Sequence, residues 1–156
     1  MPQFSLTTVW TIPAPIEKVW LCLLDTENWT TWWHYVVSVE ELNRGEPSGL
    51  NNTRRYLWRT CLPYHLSLDL RVTQLQATHF VSVAVSGDLQ GVGYCRLLAN
   101  PDTASTQVEF NWQVKTCKPW MNYFTRWTQP IFVWNHTKVM QSGEQSLIRY
   151  LATKKT

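Results

Sequence analysis

Residues 64–75, YHLSLDLRVTQL, alternate apolar and polar side chains, and this pattern decides the fold class. Successive residues of a strand point to opposite faces, so the apolar side chains share one face. That face holds Leu66, Leu68, Leu70 and Val72. Residues 106–115, TQVEFNWQVK, repeat the pattern. Their apolar face holds Val108, Phe110, Trp112 and Val114. One solvated face and one covered face are typical of an antiparallel sheet.

Five further segments have the β-branched and aromatic composition of strands. They are residues 3–12, 36–43, 54–62, 79–87 and 94–100. Short turns separate the later ones, and the glycine-rich stretch Gly87–Gly93 reads as one of these turns. The sequence therefore predicts a meander of about seven antiparallel strands.

Helical periodicity occurs in two places, after the first strand and at the C-terminal end. In residues 16–25, IEKVWLCLLD, apolar side chains recur at the spacing of an amphipathic helix, and a second short helix is predicted over residues 26–36. A long helix is predicted from Pro130 onward. Its apolar face holds Phe132, His136, Val139, Met140, Gly143, Leu147, Tyr150 and Leu151. We expect this helix to cover the concave face of the sheet, which makes the fold class α+β.

Composition limits the classes of protein that the chain can represent. Residues 1–156 correspond to one domain, and 44% hydrophobic against 16% charged residues exclude a mainly disordered chain. A net charge of +3 does not call for nucleic acid. The four cysteines are widely spaced, so neither a metal site nor another cofactor is predicted. The chain lacks the pattern of a signal peptide or a membrane span, and we expect a cytoplasmic protein without stable membrane insertion.

Several local strings resemble one known superfamily in the same order. They are IPAPIEKVW (12–20), DTENWTTWW (25–33), GDLQGVG (87–93), NWQV (111–114), KPWM (118–121), PIFVWNH (130–136) and VM (139–140). Together they resemble the START-like superfamily, also called Bet v 1-like or SRPBCC. Within it the chain is similar to the bacterial polyketide-cyclase/dehydrase and lipid-transport group, and the resemblance spans nearly the whole chain.

The resemblance implies a helix-grip fold, in which a curved antiparallel sheet wraps around a long C-terminal helix. Two short helices follow the first strand, and the whole chain forms one START-like domain. In this superfamily an apolar cavity usually lies between the sheet and the helix. Its members include carriers, aromatase/cyclases and hormone receptors, so the fold alone does not fix the function.

His136 is the most informative polar residue, because it shares the helical face of Phe132, Val139 and Met140. A neutral imidazole there could orient a ligand carbonyl or hydroxyl, or act as a general acid or base. The alternative is a core histidine bonded to Asn135, a strand residue or water. Gly143, on the same face, leaves room either for a ligand or for close packing of helix and sheet.

Aromatic side chains on the strands are candidate walls of the cavity. Alternatively, they fill the core and leave no void. Arg96 in such a wall could pair with a ligand carboxylate, or its charged end could simply reach solvent. The second helix contributes Trp33, which either borders the cavity or packs on the sheet. The predicted cavity residues are Trp33, Tyr56, Trp58, Leu68, Leu70, Val83, Tyr94, Arg96, Phe110, Trp112, Phe132, His136, Val139, Met140 and Gly143.

Three functions remain open from the sequence. The first is carriage or sensing of a small hydrophobic, aromatic or lipid-like molecule. The second is a cyclase or dehydratase of polyketide-like substrates that uses His136 as acid or base. The third is an interaction module with a filled core, whose exposed aromatic residues recruit a protein or a membrane.

Overall fold

A computed structural model describes residues 3–117 and 125–154. Seven antiparallel strands form one sheet in the spatial order β1-β7-β6-β5-β4-β3-β2. The strands are β1 (Gln3–Ile12), β2 (Val36–Asn43), β3 (Thr53–Arg59), β4 (His65–Gln76), β5 (Phe80–Gly87), β6 (Leu89–Asn100) and β7 (Ser105–Thr116). The predicted meander is confirmed, since β2 to β7 pair in chain order and β1 closes onto β7.

The helices follow the predicted order but differ in their bounds. They are α1 (Ile16–Leu24), a 3-10 turn at Thr26–Asn28, α2 (Trp29–Trp32) and α3 (Thr125–Thr153). The second helix is shorter than predicted, because the chain is extended again from Trp33. The long helix begins before Pro130, which lies inside it. The string KPWM at residues 118–121 lies outside the described residues.

The apolar core lies on the concave face of the sheet, where α1, α2 and α3 cover it. A larger cluster surrounds α1, α2 and the C-terminal half of α3, and its buried members include Trp10, Trp33 and Leu147. A smaller cluster includes Phe132, which stacks on Phe4 with 4.2 Å between the ring centroids. The helix-grip architecture is therefore confirmed.

Polar pairs occupy the opposite, convex face of the sheet. Arg55 donates two hydrogen bonds to Asp69, at 2.8 and 3.0 Å. The hydroxyls of Thr73 and Ser82 lie 2.7 Å apart across β4 and β5. These pairs are partly exposed, so water screens them and they contribute little to stability. They establish which face of each strand is solvated.

Candidate functional site

Two apolar cavities lie on the concave face. Cavity 1 has a volume of about 80 Å³ and lies beside the N-terminal half of α3. It is lined by Leu6, Trp58, Arg59, Thr60, Leu66, Leu68, Leu89, Trp112, Val114, Phe132, Asn135, His136, Val139 and Met140. Nearly all of its wall is apolar, as expected for a site that binds a hydrophobic ligand.

Cavity 2 has a volume of about 120 Å³ and lies between the sheet, α1 and the short helices. It is lined by Trp20, Leu23, Leu24, Thr26, Trp29, Arg54, Tyr56, Leu70, Val72, Val81, Val83, Gly93, Tyr94, Cys95, Leu97, Phe110 and Trp112. Along β4, Leu68 lines cavity 1 and Leu70, two residues on, lines cavity 2. The two cavities are therefore neighbours along the strands.

Trp112 belongs to the walls of both cavities. It pairs across the sheet with Gly93, and a Cβ at position 93 would come within 2.8 Å of Trp112 Cε3. The glycine thus allows the indole to lie close against β6. Because the Trp112 side chain borders both spaces, a change in its rotamer would alter the division between them.

His136 is the titratable group of α3 that lines cavity 1. Removal from water disfavours the imidazolium ion, and burial lowers the pKa of His136 to about 4. The imidazole is consequently neutral at pH 7. Its buried Nε2 has no hydrogen-bond partner among the described residues, and the same holds for Nε1 of Trp58 in the same wall.

The connection between β3 and β4 borders cavity 1 through Thr60. Buried Asn135 accepts a hydrogen bond from the Cys61 backbone N–H at 2.6 Å through its Oδ1. The Thr60 hydroxyl donates to the carbonyl oxygen of Leu62 or of Tyr64, at 3.0 and 2.7 Å. These bonds tie the connection to α3 and give it a fixed shape beside the cavity.

Charged and polar groups line one side of cavity 2. Arg54 donates from Nε to Glu27 at 2.5 Å and from Nη1 to Asn52 at 2.7 Å. Burial raises the pKa of the Tyr56 hydroxyl, so it remains protonated at neutral pH. Arg54 links β3 to the 3-10 turn and thereby fixes the turn against cavity 2.

Twelve of the fifteen predicted residues line the two cavities, and these twelve divide between them. The predicted residues that line cavity 1 are Trp58, Leu68, Trp112, Phe132, His136, Val139 and Met140. The predicted residues that line cavity 2 are Tyr56, Leu70, Val83, Tyr94, Phe110 and again Trp112. The remaining three, Trp33, Arg96 and Gly143, line neither.

The side chains of Tyr94 and Arg96 lie differently from the sequence-based expectation. On β6 the inward positions are Gly93, Cys95 and Leu97, so the neighbouring residues face outward. Although Tyr94 borders cavity 2, its hydroxyl donates to Glu109 at 2.9 Å. The Arg96 guanidinium lies over the rings of Tyr94 and Phe80, at 5.3 and 5.7 Å from their centroids. Arg96 is exposed on the convex face and lines neither cavity, so of its two interpretations the one in which its charged end reaches solvent applies.

Trp33 and Gly143 meet each other instead of bordering a cavity. Trp33 is 2% exposed, and its Nε1 donates to the Val139 carbonyl at 3.0 Å. A Cβ at position 143 would lie 2.5 Å from Cε2 of Trp33 and 2.8 Å from Trp10. Of the two interpretations of Gly143, close packing therefore applies rather than space for a ligand.

Several wall residues were not singled out from the sequence. The alternating pattern could have identified Leu66, Val72 and Val114. They lie on the same strand faces as the predicted cavity residues of β4 and β7. Arg54, Thr60 and Asn135 are polar and gave no such signal, and Asn135 was considered as a partner of His136 and not as part of a wall. Their positions depend on how β3 and α3 meet, which periodicity does not describe.

Comparison with known proteins extends over the whole described fold. The family profile described as "Polyketide cyclase / dehydrase and lipid transport" matches residues 3–152. No curated protein sequence gives a significant match.

The described part of the chain contains no helix with the length and hydropathy needed to cross a membrane.

Solved structures share the fold at low sequence identity. The Zhui aromatase/cyclase from a Streptomyces species is 13% identical, with a TM-score of 0.78 over 96% of this chain and 93% of that one. A START superfamily protein from Mycobacterium smegmatis is 12% identical, with a TM-score of 0.75 over 96% and 97%. A protein from Thermus thermophilus is 18% identical, with a TM-score of 0.73 over 99% and 100%.

At these identities the structural neighbours establish that this chain has the same fold as they do. They do not identify its ligand. The profile match adds the family, because it runs from the first described strand to the end of α3. This chain belongs to the polyketide cyclase/dehydrase and lipid transport family, and its fold is the one seen in a START superfamily protein.

Proposed function

We propose that this protein binds a small hydrophobic molecule between the concave face of the sheet and α3, as a carrier or a sensor. The observation that carries the proposal is the pair of apolar cavities on either side of Trp112. Burial of apolar ligand surface would supply most of the affinity, at about 25 cal/mol per Å². The family description, which includes lipid transport, supports the same class of ligand.

The volumes limit the shape of the ligand. An engineered cavity of about 150 Å³ accommodates benzene, and cavity 1 is smaller than that, at about 80 Å³. A flexible aliphatic chain therefore fits cavity 1 better than a rigid ring. A longer ligand would extend past Trp112 into cavity 2.

A series of 1-alkanols with four to eight carbons tests this function by isothermal titration calorimetry. We expect saturable binding that tightens about fourfold with each added methylene, because each buried methylene is worth about 0.8 kcal/mol. Val139→Phe, which adds a ring to the wall of cavity 1, should weaken binding at least tenfold. Val133→Phe is the matched control, because Val133 lies on the same helix and is 40% exposed. Affinity that does not depend on chain length would contradict the proposal.

A cyclase or dehydratase that uses His136 is the second candidate. It is favoured by the imidazole in the wall of cavity 1, whose Nε2 has no partner among residues 3–117 and 125–154. A pKa of about 4 makes His136 a weak base, which favours binding over proton abstraction. If the protein is an enzyme, His136→Ala should abolish turnover of a polyketide-like substrate and leave its binding unchanged.

A further inference from the structure

Two residues that line cavity 1 each carry a buried polar atom whose hydrogen-bonding capacity is unused within the described chain. These atoms are Nε1 of Trp58 and Nε2 of His136. A buried polar group without a partner costs about 1–3 kcal/mol, so an arrangement with two of them in one wall is unfavourable unless another molecule completes it. A ligand that supplies a polar atom would remove this cost.

Space for a partner distinguishes Trp58 from the other indoles of the core. Trp10 and Trp32 also have a buried Nε1 without a partner in the described part of the molecule. Neither of them lines cavity 1 or cavity 2. An unpartnered N–H is therefore not by itself a sign of a ligand here. Trp58 differs from both because it lines cavity 1, as does His136 with its own unpartnered Nε2.

The charges around cavity 1 determine which polar group fits. No aspartate or glutamate is among the described residues that line it, and the Arg59 guanidinium, which donates from Nη1 to the His34 carbonyl at 2.8 Å, keeps its positive charge. The His136 imidazole is neutral, so it provides no positive charge for an acid. Trp58 and His136 are both uncharged at pH 7, so this pair matches the oxygen of a neutral group, whereas an ionised carboxylate would have to reach the Arg59 guanidinium.

We propose that cavity 1 binds the neutral oxygen of an aliphatic alcohol or ketone, held between Trp58 Nε1 and His136 Nε2. The Trp58 N–H donates to this oxygen. A hydroxyl ligand donates its own proton to Nε2 of the neutral imidazole, whereas a carbonyl accepts from the tautomer that is protonated at Nε2. The rest of the ligand lies along Leu68, Trp112 and Met140. This inference rests on the proposed function and specifies the ligand class.

The 1-alkanol series also tests this inference, because the dependence on chain length and the overall affinity report different contacts. Trp58→Phe removes the N–H and keeps an aromatic ring, and His136→Leu removes the imidazole. Each should weaken every alkanol about fivefold, as expected for one lost hydrogen bond, and leave the fourfold gain per methylene unchanged. Trp32→Phe is the matched control, since it removes an unpartnered indole N–H outside both cavities, and it should leave affinity unchanged.

A second comparison uses the alkanoate of the same chain length at pH 7. It should bind at least tenfold more weakly than the alkanol, because an oxygen held between Trp58 and His136 meets no charged group. A carboxylate held by Arg59 would instead bind more tightly. Tighter binding of the alkanoate, or unchanged alkanol affinity in both variants with the chain-length dependence intact, would overturn this inference and leave the proposed function standing. Loss of the chain-length dependence in the wild-type protein would overturn both.

Discussion

The Trp33 indole lies directly against Gly143, where a Cβ would come within 2.5 Å of Trp33 Cε2. The same indole donates to the Val139 carbonyl, one helical turn earlier, at 3.0 Å. The end of α2 and the middle of α3 are thus held together by one side chain. Since glycine is unfavourable inside a helix, this contact explains why the helix tolerates it.

Gly143→Ala is expected to destabilise the protein. The added methyl would gain about 1 kcal/mol of helix propensity, but it would force the Trp33 and Trp10 rings to move, and such overpacking costs about 1–3 kcal/mol. We expect the free energy of unfolding in urea to fall by up to about 2 kcal/mol. Gln145→Ala, at an exposed position of the same helix, should leave it nearly unchanged. A Gly143→Ala protein about 1 kcal/mol more stable than the wild type would show that the rings yield without cost.

His136 should make stability depend on pH between about 6.5 and 4. The folded protein holds the imidazole neutral down to a pKa of about 4, whereas the unfolded chain takes up a proton near pH 6.5. Because the unfolded state binds more protons in this window, the free energy of unfolding falls as the pH is lowered through it. The full loss corresponds to about 3 kcal/mol.

Chemical denaturation at pH 7 and pH 4 measures this contribution. Between pH 7 and pH 4, the free energy of unfolding of His136→Leu should fall by about 3 kcal/mol less than that of the wild type. For His65→Leu, at an exposed position, the difference from the wild type should be much smaller. A nuclear magnetic resonance titration provides a direct check. A midpoint near 6.5 for His136 would contradict the prediction.

Asn135 should hold the connection between β3 and β4 in place. Its Oδ1 accepts from the Cys61 backbone N–H, and Asn135→Ala would leave that donor without its partner. We expect a loss of about 1–3 kcal/mol in the free energy of unfolding and faster hydrogen exchange at the Cys61 amide. Thr137→Ala, on an exposed part of α3, is the control. Unchanged exchange at Cys61 would mean that the connection keeps its shape without this bond.

The ion pair between Arg54 and Glu27 should contribute little to stability. The Glu27 side chain is 46% exposed. A second carboxylate also lies near Arg54, with Oε1 of Glu41 at 3.8 Å from Nη2 of Arg54. Glu27→Gln should therefore lower the free energy of unfolding by less than about 1 kcal/mol, and about 1 M salt should remove the difference. Asp102→Asn, in the exposed turn between β6 and β7, controls for the loss of one negative charge. A larger effect that persists in salt would indicate that the pair is shielded from water.

Alternation along β4 and β7 was sufficient to predict which side chains face inward. Leu68, Leu70, Phe110 and Trp112 line the cavities, because in both strands every second residue is apolar and the others are polar. The helical spacing likewise placed Phe132, His136, Val139 and Met140 together on α3. In these elements the period of the sequence and the burial pattern agree.

The same reasoning failed on β6, where both alternating sets contain apolar residues. Tyr94 has more apolar area than Gly93, so composition favours the wrong face. Gly93 faces inward because the Trp112 indole lies against it from the neighbouring strand. A small residue that accommodates a large one across the sheet gives no hydrophobic signal of its own.

The sequence by itself determined the order of the strands and helices and the inner face of the regularly alternating strands, because these depend on local periodicity and local composition. The family followed from the resemblance of several local strings. The tertiary structure decided how the concave space is divided, that Gly143 accommodates Trp33, and that Arg96 lies outside. Each of these depends on side chains distant in the sequence that compete for one volume, and packing of that kind leaves no periodic pattern in the chain.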